Sequence, residues 1–168
     1  AGGFDALLKA IVAQQLSVAS AAAIWARLQA AGLTKEKRIL STTDTALREV
    51  GLSRQKIKYI RALALADVDF DALSAASTEE VVEVLTQISG IGVWTAEIYA
   101  LFSLGHQDVF PSGDLALQEA AKDLFAMNKR PSANALKTMA VDWSPWRAVA
   151  AHVLWAYYSA IKKREGIG

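Results

Sequence analysis

Gln87-Ile88-Ser89-Gly90-Ile91-Gly92-Val93-Trp94-Thr95-Ala96 is the stretch whose reading decides the fold. Upstream of it Val81, Val84, Leu85 and Ile88 recur at i, i+3, i+4 and i+7, the spacing of one helix face. Ser77 and Glu80 offer a capping box to start that helix. Downstream, Trp94, Ile98, Leu101, Phe102 and Gly105 repeat the period. Between the two patterns sit Gly90 and Gly92, and glycine permits a positive φ and the close approach of another backbone. The first N–H groups of the second helix lack helical partners and point outward, ready for an anion. Residues 78 to about 105 therefore read as a helix-hairpin-helix. By itself the pattern also fits a plain αα-corner whose glycines serve geometry alone.

The whole chain narrows the classes around that motif. Its 168 residues are enough for one domain with a substantial core, and 53% apolar composition marks it as globular. With no cysteine, disulfides, cysteine-ligated zinc, iron–sulfur clusters and a thiol nucleophile are excluded. His106 and His152 are too few for a histidine-rich metal centre. A net charge of +1 gives no global argument for nucleic acid, so any phosphate contact must be local. The longest apolar run, Ala148 to Ile161, is interrupted by His152 and is too short to span a bilayer. No signal peptide is visible at Ala1, and an intracellular location, cytoplasmic or nuclear, is expected. The chain begins almost inside a helical pattern, so a further N-terminal segment is expected ahead of it.

Taken in order, Phe4, Leu7, Leu8, Ile11 and Val12 form a first helical stripe, which Gln14 and Gln15 extend. Two amides there either hydrogen-bond the helix end or look into a cleft. Ser17 caps a second helix with Val18, Ala21, Ala22, Trp25, Leu28 and Gln29 on one face, stopped by Gly32. A short helix follows at Thr43–Val50, ended by Gly51. Ser53 opens another, with Ile57, Ile60, Leu63 and Ala64 inward and Arg54, Lys58 and Arg61 outward, Lys56 nearby. Such a basic stripe is either a solvated face or a nucleic-acid contact. Gly105 to Gly113 reads as loop, and Asp114 stands where an N-cap belongs, ahead of Leu115, Leu117, Ala121, Leu124 and Phe125. A short helix is expected at Ala133–Ala140. Pro145 suits the first turn of a long last helix. There Trp146, Val149, Ala150, Val153, Tyr157 and Ile161 make one stripe, with Ala148, His152, Trp155 and Ser159 opposite. No β alternation and no internal repeat is visible. The fold class is all-α, with about ten helices.

Together, "AIVAQQLSVASAAAIWARL", "GLSRQKIKYIRALA", "ISGIGVWTAEIYALFSLG", "DVFPSGDLAL" and "WSPWRAVAAHVLW" resemble the helix-hairpin-helix Gly/Pro-Asp superfamily of DNA glycosylases. The branch they look most like is 3-methyladenine DNA glycosylase II. An aspartate after a Pro-x-Gly loop, about twenty residues beyond the hairpin, is that superfamily's defining arrangement. The resemblance implies one glycosylase domain over residues 1–168. It also implies two helical lobes with a DNA-binding cleft between them, the first and last helices sharing a lobe.

It further implies an enzyme that flips an alkylated base out of double-stranded DNA and hydrolyses its N-glycosidic bond. Asp114 matches the catalytic aspartate. Trp94 stands where bifunctional branches carry a nucleophilic lysine, so no strand cleavage is expected. Trp94 and Trp155 are candidate walls of the base pocket, and aromatic faces attract a cationic base. Ile98 and Leu115 also line it by resemblance, at positions where some relatives carry tyrosines. Gln15, with Leu16 as the next candidate, matches the residue that plugs the gap left by the flipped base. Gly90, Gly92, Trp94 and Thr95 match backbone amides that grip a phosphate. The carbonyls of Thr86, Ile88 and Ile91 match those that bind a monovalent cation, Na or K, in family hairpins; no other cofactor is implied. A monomer without a membrane partner is expected. The alternatives are a glycosylase for a deaminated or mismatched base, a non-catalytic hairpin module that binds DNA, and a helical scaffold unrelated to DNA.

Overall fold

A computed structural model describes residues 2–164. Among them every regular element is helical, and the chain divides into two compact units, residues 1–99 and 100–168.

The first unit holds α1 (Phe4–Ala13), α2 (Val18–Ala30), α3 (Glu36–Ser41), α4 (Asp44–Glu49), α5 (Arg54–Leu65), α6 (Phe70–Ala75), α7 (Thr78–Thr86) and α8 (Val93–Tyr99). The local code starts most of them as expected. Ser17, Thr43, Ser53 and Ser77 each accept a bond from a backbone N–H in the helix they open, and Ser77 with Glu80 completes the capping box. Gly32 at φ +67 and Gly51 at φ +103 follow the ends of α2 and α4. The core is built on α1, whose Phe4, Leu7, Leu8, Ile11 and Val12 are all buried. Ile57, Ile60, Leu63 and Ala64 of α5 pack in the same interior, with Leu28, Ile39, Leu47 and Leu85. Each buried Leu, Ile, Val or Phe side chain contributes about 1.5–3 kcal/mol.

Several stripes lie elsewhere than the periodicity placed them. On α2 Ile24 and Leu28 are buried while Val18 is 88% exposed. The stripe leading into the hairpin largely holds, with Val81, Leu85 and Ile88 buried and Val84 exposed. On α8 the inward face is Thr95, Ala96 and Tyr99, and Trp94 is 45% exposed. The Tyr99 hydroxyl accepts the Gly3 N–H at 2.8 Å, which draws that face toward α1. The six-residue helices α3 and α6 are additions to the sequence reading, too short to show a period.

The second unit opens with a π turn, Ala100–Leu104, that continues α8 along the chain. It then holds α9 (Leu115–Leu124), α10 (Ala133–Met139), a 3-10 turn (Ala140–Trp143) and α11 (Arg147–Arg164). Here α11 packs on α9 through Ala148, Ala151 and Leu154. The expected stripe of Trp146, Val149 and Val153 is more than half exposed. The reason is that α11 is apolar around much of its girth. Its alanines let α9 come close, and the bulkier residues stay outside. Pro145 lies ahead of the helix rather than in its first turn, across a cis Ser144–Pro145 bond. No helix among the described residues is long and apolar enough to cross a membrane.

Candidate functional site

In the first unit the hairpin turn runs from α7 to α8. Ile91 N–H closes it by donating to the Ile88 carbonyl at 3.0 Å, and the Gly92 carbonyl accepts the first bond of α8 from Ala96 N–H. The two glycines do different work. Gly90 has φ +95, and a Cβ there would meet the Tyr59 ring at 2.3 Å. Gly92 has no positive φ, and a Cβ there would meet nothing within 4 Å. Nothing inside the protein demands a glycine at 92. The bare backbone faces open space at the N-terminus of α8, where N–H groups favour an anion. Thr95 is buried at its side chain, so its share in an anion site is its backbone.

The turn from α1 to α2 belongs to the same unit. Gln14 Nε2 donates to the Gly90 carbonyl at 2.9 Å, so one of the two amides read at the helix end reaches the hairpin instead. Gln15 is exposed with φ +57, and Leu16 is 39% exposed. The basic stripe on α5 splits. Arg61 bonds the Asp44 carboxylate and the carbonyls of Ile39 and Thr42, and Lys56 donates to the Val12 carbonyl. Those two cations are structural, which leaves Arg54 and Lys58 as the exposed members.

Among the described residues no cluster of histidine and acidic side chains could hold a metal ion. An oxygen-only set of carbonyls suits a hard cation. The Ile88 carbonyl spends one lone pair on the turn and keeps a second. Of the Thr86, Ile88 and Ile91 carbonyls, that of Ile88 therefore keeps acceptor capacity for a cation.

In the second unit Asp114 ends the loop and caps α9. Its Oδ1 accepts the backbone N–H groups of Ala116 at 2.9 Å and Leu117 at 3.1 Å, and the indole Nε1–H of Trp155 at 3.2 Å. Two amides at the helix N-terminus and an indole thus fix the orientation of the carboxylate. The loop before it is equally determined. Asp114 N–H donates to Pro111 O, and the buried Gln118 donates to Ser112 O. Further back, Asp108 accepts two bonds from Arg147 at 2.6 and 2.9 Å and one from Ser144 at 2.8 Å. Beside the Arg147 guanidinium its carboxyl is held down to about 2. This pair ties the loop leading to Asp114 to the start of the helix carrying Trp155.

Trp155 is also framed by aromatics. Phe102 from the π turn stacks on it at 5.6 Å between ring centroids, and His152 stands edge-on to both rings. Phe102 is 59% exposed, so this is a surface cluster and not core. Leu115, beside Asp114, is 61% exposed.

The structure therefore brings Asp114, Leu115 and Trp155 together in the second unit. Gly90, Gly92, Trp94, Thr95 and Ile98 lie in the first, with Gln15, Leu16 and the three carbonyl residues. Sequence reasoning missed Phe102, read as part of a core stripe, and the Asp108–Arg147 pair, whose partners lie 39 residues apart with no local signal. His152 was legible only as a residue sharing a face with Trp155.

A family model described as HhH-GPD superfamily base excision DNA repair protein matches residues 8–146. The chain is 29% identical to the alkylbase DNA glycosidase-like protein mag2 of Schizosaccharomyces pombe, over 90% of this chain and 76% of that protein. A crystal structure of DNA-3-methyladenine glycosidase from Bacillus halodurans superposes with TM-score 0.87 and 36% identity, covering 97% of this chain and 78% of that one. S. pombe 3-methyladenine DNA glycosylase Mag1, solved in complex with abasic DNA, gives TM-score 0.76 and 30% identity over 90% and 78%. With its hairpin and its anchored aspartate, this chain belongs to the HhH-GPD superfamily of base excision DNA repair proteins.

Proposed function

We propose that this protein is a monofunctional DNA glycosylase that excises alkylated purines of the 3-methyladenine and 7-methylguanine type from double-stranded DNA. The observation that carries the proposal is the Asp114 carboxylate, fixed through Oδ1 by two amides and the Trp155 indole. Breaking an N-glycosidic bond leaves the bonding electrons on the base and positive charge on the sugar. A pre-oriented carboxylate stabilises that charge without reorganising. Water then adds to the anomeric carbon, and Asp114 orients it or takes its proton. An alkylated purine already carries positive charge and leaves as a neutral base, so a general acid is not needed. Trp155 and Leu115 of the second unit are proposed contacts of the extruded base; Trp94 and Ile98 are proposed, separately and on the family resemblance alone, as base contacts.

An indole at position 94 cannot form a Schiff base, so the reaction ends at an abasic site with the strand uncut. In the same proposal the backbone at Gly90, Gly92, Trp94 and Thr95 grips one phosphate, and Gln15, with Leu16, fills the gap in the stack. The carbonyls of Thr86, Ile88 and Ile91 would hold a monovalent cation, which would supply positive charge at the hairpin. The protein acts as an intracellular monomer in this reading. What supports it beyond Asp114 is that the S. pombe and B. halodurans relatives are named for 3-methyladenine excision.

The test is single-turnover release from a panel of single-lesion duplexes by the wild type and Asp114→Asn. Removing the charge should slow release by about a hundredfold or more while binding to abasic-analogue DNA persists. Full activity in the variant would refute the role of Asp114. Release of deaminated or mismatched bases in place of every alkylated purine would transfer the activity to another lesion class.

A further inference from the structure

The turn joining α1 and α2 is held by two long-range contacts. From α5, Lys56 Nζ donates to the Val12 carbonyl in the last turn of α1. From the turn itself, Gln14 Nε2 donates to the Gly90 carbonyl at 2.9 Å, across 76 residues of sequence. Gly90 is pinned in its turn by φ +95 and by the Tyr59 ring packed where its Cβ would stand. Just beyond the anchor, Gln15 sits exposed at φ +57 and Leu16 is 39% exposed. A non-glycine residue in that region persists only where its surroundings impose it. The core uses neither side chain.

We infer that Gln14 is a positioning residue that bolts the Gln15–Leu16 turn to the hairpin. Through it, the gap-filling side chain and the phosphate grip are presented at one fixed separation. This rests on the glycosylase reading and adds a residue to it. Filling the gap beside an extruded nucleotide requires the plug to enter while the neighbouring phosphate is held. A turn already ordered against the hairpin does this without the entropic cost of arranging it at the moment of extrusion. Only an N–H donor serves a carbonyl. Glutamate at 14 would set a second acceptor against Gly90 O, and methionine would keep the length with no donor.

The test compares wild type, Gln14→Glu and Gln14→Met in single-turnover release of whichever lesion the panel shows the protein removes. That lesion is placed once in a fully paired duplex and once in a bubble of unpaired bases, where extrusion costs little. Losing one hydrogen bond should slow release from the paired duplex about five- to tenfold in both variants and leave the bubble substrate near the wild-type rate. The ratio of the two rates is the readout, because a general loss of folded protein lowers both alike. Equal losses on both substrates, or wild-type rates on the paired duplex, overturn the inference. Failure of the wild type to release any base overturns the glycosylase reading itself, so the two failures are distinct.

Discussion

Gly90 and Gly92 stand two residues apart in one turn, yet replacing each with alanine should do opposite things. At Gly90 the backbone holds φ +95, and a Cβ would lie 2.3 Å from Tyr59 Cγ and 2.7 Å from its Cβ and Cδ1. The left-handed conformation costs about 1–3 kcal/mol for a residue other than glycine. Displacing the packed ring adds roughly 1–3 kcal/mol. Gly90→Ala should therefore be destabilised by about 2–6 kcal/mol, which for a chain of this size lowers the melting temperature by about 4–24 °C. At Gly92 neither term exists, because φ is not positive and nothing lies within 4 Å. Alanine gains from a less flexible unfolded chain and loses as a cap, which keeps stability within about 1 kcal/mol of wild type.

A methyl on that open backbone would, however, stand in the path of a phosphate. Gly92→Ala should weaken binding to an abasic-analogue duplex about tenfold, the scale of one charge-assisted hydrogen bond. Thermal melts and equilibrium binding on both variants give the answer. An unshifted melting temperature in Gly90→Ala would refute the packing argument. Wild-type binding by Gly92→Ala would refute the phosphate grip.

Two further outcomes follow from the second unit. Trp155→Phe keeps an aromatic face but removes the N–H that reaches Asp114 Oδ1, so single-turnover release should fall about tenfold with DNA affinity retained; an unchanged rate would show that the indole does not orient the carboxylate. Asp108 has a folded pKa of about 2, below its ordinary value of 3.8, because of Arg147. A depressed carboxyl stabilises the fold above the unfolded pKa and loses that contribution as pH falls from about 4 toward 2. The side chains are 26% and 35% exposed, so solvent screening limits the effect to on the order of 1 kcal/mol. Acid melts of Asp108→Asn should run below wild type near neutral pH and converge with it near pH 2; parallel curves would show that the pair contributes nothing through ionisation.

What the sequence determined by itself was the local layer. Caps at Ser17, Ser53, Ser77 and Asp114, the stop at Gly32 and the hairpin glycines are interactions within a few residues, and sequence spells them directly. The stripes on α1 and α5 were legible because their large apolar residues gather on one side. On α8 and α11 apolar residues occupy more than one side, and period alone cannot say which side meets the core. The answer came from what each helix packs against: Tyr99 bonded at α1, and alanines of α11 against α9.

The site shows the same division. Asp114 could be singled out from its loop and cap position, and Gly90 and Gly92 from their spacing. Only the tertiary structure decided that Gly90 is needed for Tyr59 while Gly92 is needed by nothing inside the protein. The same holds for Gln14 reaching Gly90 across 76 residues and Trp155 reaching Asp114 across 41. A capping bond is written within three or four residues, whereas a contact between distant segments exists only once the core has chosen which helix faces to bury.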